Sequence, residues 1–185
     1  AISDDHGDIL SVGTNEVPRP GGGQYWDEDI PNGRDFKRDD FAFDRFRTEI
    51  LEDILSRLKD KKWLDKKKVK QDQSLVSQCQ DDMKGALYQD VIEYGRTVHA
   101  ELSAILGAAR RGTRLEGSIL YSTTFPCHEC ARNIVAAGIK RVVYIHPYTK
   151  SRVESLFNDS IVTDAEQPPK DPKRNIPEPI EFVPF

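Results

Sequence analysis

Gly117–Ile145 reads GSILYSTTFPCHECARNIVAAGIKRVVYI, and this stretch decides the fold. Gly117–Thr123 carries Ile, Leu, Tyr and Thr in a short run and predicts a strand. Pro126–Ala137 predicts a helix. Pro126 suits a first turn, where its missing N–H costs nothing, and Gly138 is a stop signal. Arg141–Ile145 predicts a second, short buried strand.

Working outward, Thr97–Arg111 predicts a helix with Thr97 as its cap, and Ser74–Tyr94 another. Phe43, Phe46, Ile50, Ile54 and Leu58 recur at helical spacing, with Asp39 or Asp40 as candidate caps. Ala1–Asn15 reads as a hairpin turning at Asp4–Asp8. Pro18–Gly23 must be a loop, either a backbone cradle for phosphates assisted by Arg19 or a plain connector. Downstream, Ser151–Asn158 predicts a short helix. From about Gln167 the chain holds six of its eleven prolines, which predicts an extended arm over 166–185. Alternating helices and strands imply an α/β layer architecture. The expected organisation is one domain over 1–165, with an insertion at about 34–84, followed by the arm.

Composition bounds the function classes. The 185 residues include 37% hydrophobic and 31% charged residues, a globular mixture. A formal net charge of -4 argues against a surface built to bind polyanions. Lys59–Lys70, with seven Lys and two Asp, is a local exception, read as a solvated helix end and loop. Three cysteines argue against a disulfide scaffold and leave metal binding or catalysis open. With no long apolar run and no signal peptide, a cytoplasmic protein is expected. Both ends, Ala1 and Phe185, read as cut from a longer protein.

The chemistry resides in His99-Ala100-Glu101 and Pro126-Cys127-His128-Glu129-Cys130. A catalytic zinc takes three nitrogen or sulfur ligands and keeps its fourth position for water. His99, Cys127 and Cys130 supply three. Cys127 and Cys130, three apart, share one helical face near a helix N-terminus, where the partial positive charge favours thiolates. His99 and Glu101, two apart, reach one metal only at the start of a helix, so two helix N-termini are expected to converge. Glu101 is then the proton carrier rather than a ligand. A structural zinc would want a fourth ligand, for which Cys79 or His128 could be proposed. His128 is expected to point outward, and Cys79 to be a buried small side chain. His6 is read as a solvated turn residue and His146 as structural.

These two motifs in this order match the signature known for zinc deaminases, and the chain resembles the deoxycytidylate deaminase branch of the cytidine deaminase superfamily. The resemblance rests on Ile9–Asn15, on the core from Val98 through Tyr121–Cys127 to Ala137–Tyr144, and on His146–Arg152. It implies a three-layer α/β/α fold with a mixed central sheet of about five strands, and Zn2+ as cofactor. It implies hydrolytic deamination of dCMP or dCTP, with Asn15 at the sugar. Ala100, Thr124, Tyr148 and Lys150 become candidate substrate contacts, and Arg19 a weaker candidate for phosphate. The Pro18–Trp26 loop, the insertion and the Phe182–Phe185 end are similar to the deaminase half of bacterial anti-phage proteins that carry a P-loop kinase-like domain upstream. That likeness implies antiviral nucleotide depletion, a homo-oligomer and a regulatory nucleotide. Two other readings stay open: a deaminase of cytosine or adenine in single-stranded DNA or RNA, and a zinc-stabilised binding module without catalysis. An editing enzyme needs a basic channel with stacking aromatics, and a structural zinc needs a fourth ligand.

Overall fold

The computed structural model describes residues 1–38, 42–64, 72–163 and 176–185. It forms two compact units, one of Ala1–Ile30 with Thr97–Phe185, the other of Pro31–Arg96. The second unit encloses the expected insertion. It holds helix α1 (Ala42–Asp60) and helix α2 (Asp72–Asp82). Helix α2 is shorter than the expected Ser74–Tyr94. Gly85 adopts φ 82°, in the left-handed region, and beyond it Leu87–Asp90 forms a separate 3-10 turn. The candidate caps Asp39 and Asp40, and Asp65–Lys70 of the basic run, lie outside the described residues.

The first unit is a six-stranded mixed sheet with helices, an α/β arrangement with one strand more than expected. Its strands are β1 (Ile2–Ser3), β2 (Ile9–Ser11), β3 (Ile119–Thr124), β4 (Arg141–His146), β5 (Ile161–Val162) and β6 (Ile180–Pro184). They lie in the order β2-β1-β3-β4-β6-β5. β1 pairs antiparallel with β2 and β3, while β3, β4, β6 and β5 run parallel. The expected hairpin is β1–β2. Asp4 Oδ1 shapes its turn by accepting from the N–H groups of His6 and Asp8, 2.9 Å each.

The Pro-rich end corrects the reading as an arm. Ile180–Pro184 inserts between β4 and β5, and Phe182 is fully buried. Ile180 and Phe182 are the alternate apolar residues of a half-buried strand, and that alternation outweighs the proline count. Burying one Phe is worth about 1.5–3 kcal/mol. Residues 166–175 of the expected arm lie outside the described ones.

Register explains where the core sits. Ile2 faces Leu120, Leu120 faces Val142 and Val142 faces Phe182 across four strands, all essentially without solvent contact. Side chains alternate along a strand, so Ser11, opposite Ile2, and Ser122, two beyond Leu120, share that face. Helix α3 (Ala100–Arg111) covers it: Ser11 Oγ donates to the Ala104 carbonyl at 2.7 Å. Helix α4 (His128–Ala136) packs against α3. The β3–α4–β4 order is the one read from Gly117–Ile145. A last helix, α5 (Val153–Leu156), is one turn long, shorter than expected.

Candidate functional site

Both cage-bearing segments are helix starts, and their local geometry follows from the residues around them. His99 precedes α3 with extended backbone, φ -66° and ψ 154°. The helix therefore begins three residues later than expected, and Thr97 is not its cap. The acceptor for the first helical N–H, that of Ala100, comes from far along the chain: Asn15 Oδ1 at 2.8 Å. Gly13 allows this approach, because a Cβ there would overlap the Ala100 carbonyl oxygen and the Ala104 nitrogen. Helix α4 is capped from within, with Cys127 Sγ accepting from the Cys130 N–H at 3.5 Å. Pro126 thus stands before the cap rather than in the first turn.

These two starts bring His99, Cys127 and Cys130 together. His99 Nδ1 lies 3.3 Å from Cys127 Sγ and 3.4 Å from Cys130 Sγ, and the three ligand atoms all fall within 4.8 Å of one another. Tetrahedral zinc with ordinary Zn–S and Zn–N bonds wants an N···S separation of about 3.6 Å. The donor set fits that ion, with both N···S separations slightly inside that value.

The electrostatics point the same way. The Cys127 thiol is pulled down to about 4, chiefly because the Cys130 thiol donates to its sulfur, with His99 and the Cys130 backbone N–H adding to this against the opposing effect of burial. Cys130 is pushed up by the same hydrogen bond, by burial and by the Glu101 carboxylate. His99 is raised, first by its contact with the Cys127 sulfur. Cys127 thus favours the thiolate, the form in which a cysteine binds a metal ion.

Glu101 sits in the first turn of α3, facing this cage. Its Oε2 lies 3.6 Å from Cys130 Sγ, and its Oε1 accepts from Ser122 Oγ at 3.0 Å. Sequence reading missed Ser122. The signal was there: a hydroxyl on the inner face of a strand whose neighbour on that face is Leu120.

The other candidates fall in several places. Asn15 is exposed and holds the start of α3 through the N–H of half-buried Ala100. Thr124 ends β3, exposed, opposite His146. Tyr148, half-buried, and Lys150, exposed, lie on the loop after β4, and Ser151 of that loop donates to the Pro126 carbonyl at 2.9 Å. Arg19 pairs with Asp29 at 3.1 Å. It lines a hollow of about 750 Å³ with Gly22, Gly23, Trp26, Arg110 and Arg111, none of which belongs to the cage. His128 does not simply point outward: its Nδ1 is buried with no hydrogen-bond partner among the described residues. Cys79, half-buried, belongs to the other unit.

Comparison with known proteins agrees with this geometry. Residues 1–146 match the family described as the cytidine and deoxycytidylate deaminase zinc-binding region. The deoxycytidylate deaminase of Enterobacteria phage T2 is 49% identical over 55 residues, 30% of this chain and 29% of that protein. The ComE operon protein 2 of Bacillus subtilis is 41% identical over 69 residues, covering 37% of this chain and 36% of that protein. The matched segments therefore span about a third of these relatives. The dCMP deaminase of cyanophage S-TIM5, solved in apo form, is 22% identical with a TM-score of 0.34, over 49% of this chain and 55% of that one.

Proposed function

Because this chain belongs to the cytidine and deoxycytidylate deaminase zinc-binding family, we propose that it hydrolyses the 4-amino group of a free deoxycytidine nucleotide, dCMP or dCTP, to give the deoxyuridine form and ammonia. The observation that carries this reading is the Glu101 carboxylate set against a cage of three ligands.

His99, Cys127 and Cys130 would hold a zinc ion, which would acidify a water for attack on C4. The chain's own residues do the rest. Glu101 takes a proton from the water and delivers it to the ring nitrogen, N3. It then carries the second proton to the amine as the C4–N bond breaks. The water oxygen stays on C4, so one water enters and one ammonia leaves. Asn15 fixes the start of α3 and, through its amide group, is the candidate partner of the sugar. Thr124, at the end of β3, and Tyr148 and Lys150, on the loop that follows β4, are the candidates for base and phosphate.

The hollow beside Arg19, with Arg110 and Arg111 near the Gly-rich loop, supports a regulatory nucleotide. The anti-phage setting, a homo-oligomer and an upstream P-loop kinase-like domain rest on the sequence resemblance alone.

Mass spectrometry on a panel of deoxycytidine and cytidine nucleosides, monophosphates and triphosphates, with single-stranded DNA and RNA alongside, tests the substrate class. Deamination of dCMP or dCTP is expected. Faster turnover of a polynucleotide would move the chain to the editing class. Glu101→Ala should keep zinc and fold while losing a factor of roughly 10² to 10⁴ in turnover. An active Glu101→Ala protein would remove the mechanism.

A further inference from the structure

Ser122 is a polar side chain on the apolar inner face of the sheet. Two residues before it on that face is Leu120, fully buried, and across the pair on β4 is Tyr144. A hydroxyl turned inward costs free energy unless it is hydrogen-bonded. Here the bonds are specific. The Thr124 backbone N–H approaches the hydroxyl oxygen at 3.4 Å and occupies a lone pair. A serine hydroxyl has a single proton to give. That proton goes to Glu101 Oε1 at 3.0 Å. The other oxygen, Oε2, is the one on the cage side, 3.6 Å from Cys130 Sγ.

The two carboxylate oxygens are therefore not equivalent. We propose that Ser122 is a positioning residue for deamination: by holding Oε1 from the sheet, it leaves Oε2 as the oxygen that receives and returns the proton. Helix α3 sets the Cα of Glu101, but the long side chain has several rotamers. The bond from β3 selects the one that faces the cage, so that less orientation has to be found during the reaction. Ser122 touches neither metal nor substrate in this role and acts only through Glu101. The inference rests on the proton-carrier role given to Glu101 above.

The test uses the full chain loaded with zinc, and five variants: Ser122→Ala, Ser122→Val, Ser122→Thr, Glu101→Ala and the Glu101→Ala, Ser122→Ala double variant. Loss of a hydrogen bond to a charged group predicts a fall in kcat of about 10-fold or more for Ser122→Ala and Ser122→Val, with KM within about 2-fold. Ser122→Thr keeps the hydroxyl and should recover most of the loss. All, like the parent, should hold about one zinc per chain. A crystal structure of Ser122→Ala should show the Glu101 carboxylate turned from its place. In a Glu101→Ala background, adding Ser122→Ala should leave the residual rate unchanged, because the two residues act as one unit. Parent-like kcat in Ser122→Ala, a further loss in the Glu101→Ala background, or loss of zinc on removing the hydroxyl would each overturn the inference. An inactive Glu101→Ala beside a fully active Ser122→Ala defeats this inference alone. An active Glu101→Ala defeats the mechanism on which it rests.

Discussion

The two units hold themselves together differently. In the sheet unit, Ile2, Leu120, Val142 and Phe182 form a row buried across four strands, and Ile134 and Ala131 of α4 are equally removed from solvent. In the Pro31–Arg96 unit, Leu51 is the one described side chain that is buried. Polar links are prominent there. Gln80 donates to Thr48 at 2.9 Å, Arg47 to the Gln89 carbonyl, and Arg96 pairs with Asp35 at 2.6 Å, while Phe46 stacks on Tyr94 at 4.8 Å. The lesson concerns where chemistry can be placed. A cage needs its ligand atoms held to a fraction of an ångström, and a close-packed core resists such displacements as a polar, exposed surface does not. The three cage residues and Glu101 all belong to the packed unit.

The largest break in this comparison is at the cage. Cys127→Ser with Cys130→Ser should abolish zinc binding and activity, read by metal analysis, whereas Cys79→Ser in the other unit should leave zinc content unchanged. The same centre should respond to pH. Cys127 keeps its thiolate down to about pH 4, but Cys130 and His99 bind protons more tightly than usual. Zinc must displace those protons, so its affinity should rise with pH and fall on acidification, measured by chelator competition. A flat profile would contradict the assigned ligands.

Next comes Gly13→Ala, where the new methyl would overlap the α3 backbone. Overpacking against immovable backbone is expected to cost about 3 kcal/mol in denaturant unfolding and to lower zinc occupancy by shifting the start of α3. A parent-like melting curve would show that α3 can move.

Leu51→Ala should cost about 2 kcal/mol, the low end for a Leu truncation, since its thinly packed surroundings can collapse. Hydrogen exchange should report the loosening within 31–96, with zinc content unaffected. The smallest effect is expected at Asp53, whose pair with Arg57 at 2.8 Å lies on an open helix face with both side chains mostly exposed. Asp53→Asn should leave the melting temperature within error.

Several of these features are legible in the amino-acid sequence. Spacing places Cys127 and Cys130 on one helix start, although Pro126 precedes the cap instead of entering the first turn, and Gly138 as a stop is borne out by its φ of 72°. Other readings fail where distant residues decide. Thr97 reads as a cap because it stands before a helix; Asn15, 85 positions away from Ala100, takes that role. The prolines after Gln167 mask a strand, because proline content reports on backbone donors and says nothing about which gap in a sheet an Ile and a Phe can fill.

The sequence by itself determined the donor set of the cage, its place near two helix starts and the β3–α4–β4 order, since each depends on spacings of a few residues that the backbone's own geometry enforces. Only the tertiary structure decided that β6 enters between β4 and β5, that Asn15 caps α3, and that Ser122 holds one oxygen of Glu101. Those are contacts between segments far apart in the chain. Their partners are chosen by which surfaces pack with least empty space and fewest unpaired polar groups, a condition on the whole unit that no local stretch of residues contains.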